Sequence, residues 1–285
     1  MRNIILALSD LHSGHKLGLL TPHLQIADDI AGDTSPTSFQ LNFAQRALWE
    51  QVEKLVEFTR NYAKSDPVTL LIHGDITQGL KRPKELVSAR LSDHLMIAFQ
   101  NIEYFMQELN ITRVRLAKGT GSHVFEEGTS EIQIGEMLKL KYPRLDVKVT
   151  YHGLMDIDGM SLDYAHHGPS TGRRIWLGGN EARYYLRDIM LRDIMAGKTP
   201  PRVFIRGHYH TWCKETLTIP VGSVDYESTL IVTPSMCFPD DFTQQAIKSP
   251  QGITFGAVVL EVFDGQLIST HRITQSLDIR LKEEL

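Results

Sequence analysis

Residues 2–12 read Arg-Asn-Ile-Ile-Leu-Ala-Leu-Ser-Asp-Leu-His, an apolar run closed by a carboxylate and an imidazole on alternate positions. A run this continuous reads as a strand buried on both faces rather than as an amphipathic helix. Asp10 then stands at the strand's carboxyl end, the place where open α/β sheets bind their ligands. Four more segments end the same way. Residues 68–72, opened by Pro67, lead into His73-Gly74-Asp75, and residues 113–117 lead into Gly119-Thr120-Gly121-Ser122-His123. Residues 160–164 run into Ala165-His166-His167-Gly168, and residues 203–205 into Gly207-His208-Tyr209-His210. Residues far apart in sequence are thereby predicted to converge on one site.

Between these strands the apolar spacing is helical. Phe43, Ala47, Leu48, Val52, Leu55, Val56 and Phe58 predict a helix over 42–63, and further helices are expected over 86–109, 131–140 and 180–195. Residues 13–38 are rich in Gly, Pro, Thr and Asp without a period and read as a long loop that shapes the pocket. Strands over 147–151 and 160–164 are expected to flank an Asp158-Gly159 turn. After His210 come only short alternating segments, 215–219, 228–233, 256–262 and 266–273, which suggest a mainly antiparallel second sheet. Two sheets packed between helices, in one domain spanning 1–285, are the simplest arrangement of these elements.

Composition narrows the function. The 285 residues are 42% hydrophobic, enough for a large core, and 30 basic against 34 acidic side chains give a net charge of −4. That balance offers no basic footprint for nucleic acid, which is left unsupported as a partner. Two cysteines, Cys213 and Cys237, are too few for a disulfide framework and match no zinc spacing. The opening apolar run is short for a signal peptide, and no segment has the 18 or so apolar residues of a membrane span. A soluble, cytoplasmic protein is expected.

Asp and His together favour first-row transition metals over calcium. Asp10 and His12 leave the same face of the chain and can grip one ion; His208 and His210 repeat the device. Asp75 is the natural bridging carboxylate, because two close cations need shared negative charge between them. In this order, D-x-H, G-D, G-x-H, H-H-G and G-H-x-H, the motifs resemble those of the calcineurin-like metallophosphoesterase superfamily, over the stretch from Asp10 to His210.

That resemblance implies a four-layered α/β/β/α sandwich with two mixed sheets flanked by helices. It implies two divalent ions, drawn from Mn, Fe, Zn or Mg and with Mn favoured in vitro, and a bridging hydroxide as nucleophile. Asp10, His12, Asp75 and His210 would surround one ion, and Asp75, His208 and either His166 or His167 the other. His167 is preferred of that pair, because the family's ligand precedes a glycine. The sequence departs from the family's G-N-H-[DE], whose Asn binds the second metal, by reading Gly121-Ser122-His123-Val124. Ser122, a water or another residue such as Glu126 is then expected at the second ion. His123 is retained and is expected to donate a proton to the departing oxygen.

The expected activity is hydrolysis of a phosphomonoester or phosphodiester. A weakened scaffold that binds a phosphorylated partner and a nuclease of the same fold are the alternatives. Several other residues read as ordinary. His15, His23, His94 and His152 are expected to be surface or hydrogen-bonded groups. Arg173, Arg174 and Arg206 are equally suited to a substrate phosphate or to a solvated surface. Gly119-Thr120-Gly121 is assigned to the turn that presents His123, and Trp49, Phe58 and Tyr62 to the core.

Overall fold

The opening run forms β1 (Arg2–Leu8), buried from Asn3 onward, as a strand covered on both faces requires. The computed structural model describes residues 2–27, 36–121, 123, 129–170, 179–240, 252–280 and 283. After β1 come two three-residue strands, β2 (Gln25–Ala27) and β3 (Pro36–Ser38), then α1 (Phe43–Ala63), β4 (Val68–His73), α2 (Leu91–Glu108), β5 (Ile111–Ala117), α3 (Thr129–Lys141) and β6 (Asp146–Thr150). The chain continues through β7 (His152–Ile157), β8 (Met160–Ala165), α4 (Asn180–Met195), β9 (Val203–Arg206), β10 (Cys213–Val221), β11 (Val224–Val232), β12 (Gly252–Phe263) and β13 (Gln266–Asp278).

Among the described residues these strands build two mixed sheets and a small β2–β3 ribbon. The first sheet has the order β13-β12-β1-β4-β5-β6, with β1, β4, β5 and β6 parallel and β12 and β13 antiparallel. The second has the order β10-β11-β9-β8-β7, parallel through β11, β9 and β8 with antiparallel edges. Period-two alternation divides β1 between two cores. Ile5 and Ala7 join Leu71, Leu162, Ile205 and Ile231 between the sheets. Ile4, Leu6 and Leu8 turn outward to pack beneath α1, α2 and α3, through residues such as Leu48, Val52, Phe105 and Leu138. On the far side, Phe204, Leu230 and Val232 pack against Ala182, Leu186 and Met190 of α4. The layers are therefore α/β/β/α, as the motif resemblance implied.

Helix α1 begins where expected, because Asn42 accepts the Gln45 amide hydrogen while Gln45 Oε1 accepts that of Asn42, a reciprocal capping box. Trp49 lies in its core face, with Phe58 and Tyr62 packed against the same core. No helix of the described residues is long and apolar enough to cross a membrane.

Three expectations need correction. Strands β12 and β13 belong to the first sheet beside β1, not to the second. The physical reason lies in residues 257–260, which are buried on both faces: Ala257 and Val259 serve the outer core, and Val258 and Leu260, with Val262 beyond them, the inter-sheet core. The Asp158-Gly159 turn does close a hairpin, with both residues at positive φ. Its first arm is β7 rather than residues 147–151, of which 147–150 belong to β6, parallel to β5. β7 escaped the sequence pattern because it is an edge strand with exposed His152 and Leu154. The second long helix starts at Leu91, since a 3₁₀ turn at Pro83–Glu85 leads into extended Leu86. The described part of loop 13–38 carries β2 and β3 and is pinned by isolated bridges of Ser13 to Thr77, His15 to Leu86 and Gly18 to Cys237.

Candidate metal centre

The parallel strands β1, β4 and β5 of one sheet and β8 and β9 of the other point their carboxyl ends to the same rim. The side chains just beyond those ends meet there. Asp10 Oδ1 lies 3.2 Å from His210 Nε2 and 3.9 Å from His12 Nε2, and the two Nε2 atoms face each other at 3.4 Å. Beside this group, Asp75 Oδ2 lies 3.1 Å from His166 Nε2. Ligand atoms of Asp10, His12 and His210 fall within 4.8 Å of one another, as do those of Asp10, Asp75 and His166 and those of His166, His167 and His208.

The backbone is held in an uncommon conformation to achieve this. Asp10, His12, Asp75, His208 and His210 have φ of 54°, 43°, 47°, 74° and 55°, a left-handed region costly for residues with a Cβ. Strain of this kind, about 1–3 kcal/mol per residue, concentrates at functional sites. Burying a single Leu or Ile in the surrounding core contributes about as much, so the cores can carry it. Local bonds fix the geometry: the Asp10 amide donates to Gly74 O (3.1 Å), His12 to Asp75 O (2.9 Å) and Ser13 to Ile76 O (2.9 Å). Ser235 Oγ donates to Asp10 O at 3.1 Å, and the His208 amide to Asp10 Oδ2 at 3.1 Å.

Gly207 is needed for space rather than for a turn, since a Cβ there would meet Ser9 Oγ at 2.0 Å; the positive φ falls on the two histidines after it. Gly119 is similar: its Cβ would meet Asp75 Oδ1 at 2.1 Å.

Hydrogen bonds decide which ring nitrogens are open. His12 Nδ1 faces Gln78 Oε1 at 2.9 Å, and His166 Nδ1 faces the carbonyl of His73 at 2.9 Å. Both acceptors require a proton on Nδ1, so in each ring Nε2 is the nitrogen turned into the centre and available to a metal ion once it gives up any proton, the usual arrangement of a metal-ligating histidine. His123 Nδ1 likewise donates to Gln78 O at 3.0 Å, and its ring stands edge-on to His12 with centroids 4.6 Å apart.

His15 fails the same test. It groups with Glu85 and Asp240, but its Nδ1 accepts the Leu17 amide hydrogen at 2.9 Å. Its proton then sits on Nε2, toward Glu85 Oε2 at 3.4 Å. Arg82 pairs with both Glu85 and Asp240, so this group is an ion-pair network.

Electrostatics fit a cation site. Burial works to raise the pKa of Asp10, but His210 and His166 outweigh it and hold the carboxyl well below its usual range. Asp75 behaves alike: burial opposes the lowering that His166 imposes. Burial would lower His166, yet Asp75 and Asp10 push it up to about 9, and His210 is raised against burial chiefly by Asp10. His12 is lowered to about 3, first by burial and then by His123. Asp10 Oδ1 is buried without a hydrogen bond of good geometry. Carboxylates facing open imidazole nitrogens, with one such oxygen orphaned, make a donor set that fits divalent transition metals.

Of the pair left open by the sequence, His166 is buried and faces Asp75, whereas His167 is exposed and, among the described residues, groups with His166 and His208. Ser122, Glu126, Arg173 and Arg174 lie outside the described residues. Arg206 is turned away from the centre, buried against Asp163 at 2.7 Å and donating to Tyr185 Oη. Buried His94 bonds to Ser88 O, and exposed His152 bonds to Asp163.

Two residues of the centre went unread in the sequence. Gln78 orients His12 through its side chain and His123 through its carbonyl. The Thr120 amide donates to Asp75 Oδ1 at 2.6 Å, and its hydroxyl faces Asp75, His166 and His208.

No protein-family model and no curated protein matches the chain. Solved structures similar to it include an archaeal phosphodiesterase, 12% identical over 97% of this chain and 99% of that one, with a TM-score of 0.41. Vps29 from Chaetomium thermophilum is 9% identical over 98% and 97%, with a TM-score of 0.36. A metallophosphoesterase from Sphaerobacter thermophilus is 13% identical over 98% and 90%, with a TM-score of 0.35. Likenesses at these scores carry no argument about activity, which rests on the geometry of the centre.

Proposed function

We propose that this chain is a metal-dependent phosphoesterase whose centre holds two divalent ions. The observation that carries the reading is the convergence of Asp10, His12, Asp75, His166, His208 and His210 from the ends of four strands, β1, β4, β8 and β9, with Asp10 Oδ1 buried and lacking a hydrogen bond of good geometry. Asp10, His12 and His210 would hold one ion, His166 and His208 the other, and Asp75 would lie between them. Such ions, when bound, supply Lewis acidity that lowers the pKa of water and offsets charge on phosphoryl oxygens.

The chain's own residues do the rest. Gln78 fixes the His12 ring, and the His73 carbonyl fixes that of His166, so both nitrogens are positioned before any ligand arrives. His123 is anchored through Nδ1 to Gln78 O, which frees Nε2 to pass a proton to the departing oxygen of the ester. A general acid contributes roughly 10²–10⁴-fold, and most when the leaving group is poor.

The test is hydrolysis of p-nitrophenyl and alkyl phosphate diesters and monoesters by the chelator-treated chain resupplied with Mn(II). Turnover should require the metal and disappear in Asp75→Asn with the fold retained. His123→Ala should lose about 100-fold or more on an alkyl ester and much less on the p-nitrophenyl ester. Equal losses on both esters would remove His123 from the acid role. Turnover in Asp75→Asn would place the chemistry elsewhere. Metal binding without turnover of any ester would favour a scaffold for a phosphorylated partner.

A further inference from the structure

We infer that Thr120 supplies the neutral oxygen ligand of the second ion, through Oγ1; this assignment rests on the two-ion reading above. The hydroxyl lies 3.2 Å from Asp75 Oδ2, 3.3 Å from His166 Nε2 and 3.3 Å from His208 Nδ1, while Asp75 Oδ2 and His166 Nε2 are 3.1 Å apart. Ligands about 2.0–2.1 Å from an octahedral cation stand roughly 3 Å from their neighbours. One oxygen at that spacing from three other donors occupies a vertex of a coordination shell.

The residue is built into the place. The carboxylate of Asp75 sits where a Cβ of Gly119 would be, which lets the backbone close over it. The Thr120 amide then holds Asp75 Oδ1 at 2.6 Å and leaves Oδ2 toward the hydroxyl. The same residue thus orients the bridging carboxylate and completes the set of donors around the second ion. Two residues, Gly121 and Ser122, separate it from His123, whose amide bonds back to Thr120 O at 2.8 Å. A neutral hydroxyl is a poorer ligand than a carboxylate, so the second ion is the more weakly held of the two.

Mn(II) binding by the full chain, stripped with chelator and followed by equilibrium dialysis and by electron paramagnetic resonance of the coupled ion pair, tests the assignment. The unaltered chain should take up two ions. Thr120→Val should take up one and lose the coupled signal, while Thr120→Ser and Ser122→Ala should keep both ions. Thr120→Ala provides the same readout if the valine variant does not fold. Thr120→Val or Thr120→Ala binding two ions with affinities within threefold of the parent, or Ser122→Ala binding only one, would overturn it. An unaltered chain that binds fewer than two ions would instead sink the two-ion reading, and the assignment with it.

Discussion

The imidazole of His166 is raised to about 9 because it lies between Asp75 and Asp10, which outweigh the opposing effect of burial. In the metal-free chain a proton thus does part of a cation's work, and a metal ion must displace it. Below that pKa, each unit of falling pH makes the proton a roughly tenfold stronger competitor. Mn(II) affinity measured by calorimetry should therefore rise about tenfold per unit between pH 6 and 8 and level off near pH 9; a flat profile would contradict the placement of His166. Stability follows the same sign. A raised folded pKa stabilises the metal-free chain fully below the ordinary histidine value, and that contribution is lost as pH climbs through about 9. Asp10, His12, Asp75, His208 and His210 were readable as a group because each follows an apolar strand at a fixed offset. Gln78 and Thr120 were not: a glutamine in a loop and a threonine in a glycine-rich turn carry no pattern until their chain segments fold against Asp75.

At the scale of elements, α3 illustrates two effects in competition. Glu131 sits in its first turn, where the helix dipole favours a negative charge by about 0.3–1 kcal/mol. Burial wins and raises its pKa to about 7, although Ser130 and the Ile76 amide bond to the carboxylate. The protonated form is favoured by folding, so this group's contribution is present below about pH 4.5 and is lost as pH rises to about 7. Glu131→Gln should then be less sensitive to pH than the parent in chelator-treated urea melts. The difference should grow toward pH 8 and reach up to roughly 3 kcal/mol; identical pH profiles would refute the assignment. The same scale shows where periodicity misled. The helices α1 and α4 were legible from end to end, but β12 looked like a half-exposed strand when it is the inner neighbour of β1. Only its pairing with β1 decides that, and β1 lies more than 200 residues away.

Across the whole molecule, the two sheets share a core through Ile5, Leu71, Leu162 and Ile205 and present their carboxyl ends to one rim. The α/β/β/α layering makes the convergence possible, since neither sheet alone carries both halves of the centre. Asp10, His12 and Asp75 come from the first, and His166, His208 and His210 from the second. A close approach of the sheets is required, and glycines at 74 and 207 permit it, since a Cβ at the first would meet the His166 ring and one at the second Ser9 Oγ. The measurement that bears most directly on the centre is anomalous diffraction at the Mn edge from crystals grown with Mn(II). Two peaks should appear, one among Asp10, His12, Asp75 and His210 and one among Asp75, Thr120, His166 and His208, with none beside His15, Glu85 and Asp240. A peak only at the His15 group, or no peak at the rim at millimolar Mn(II), would contradict a two-ion centre there.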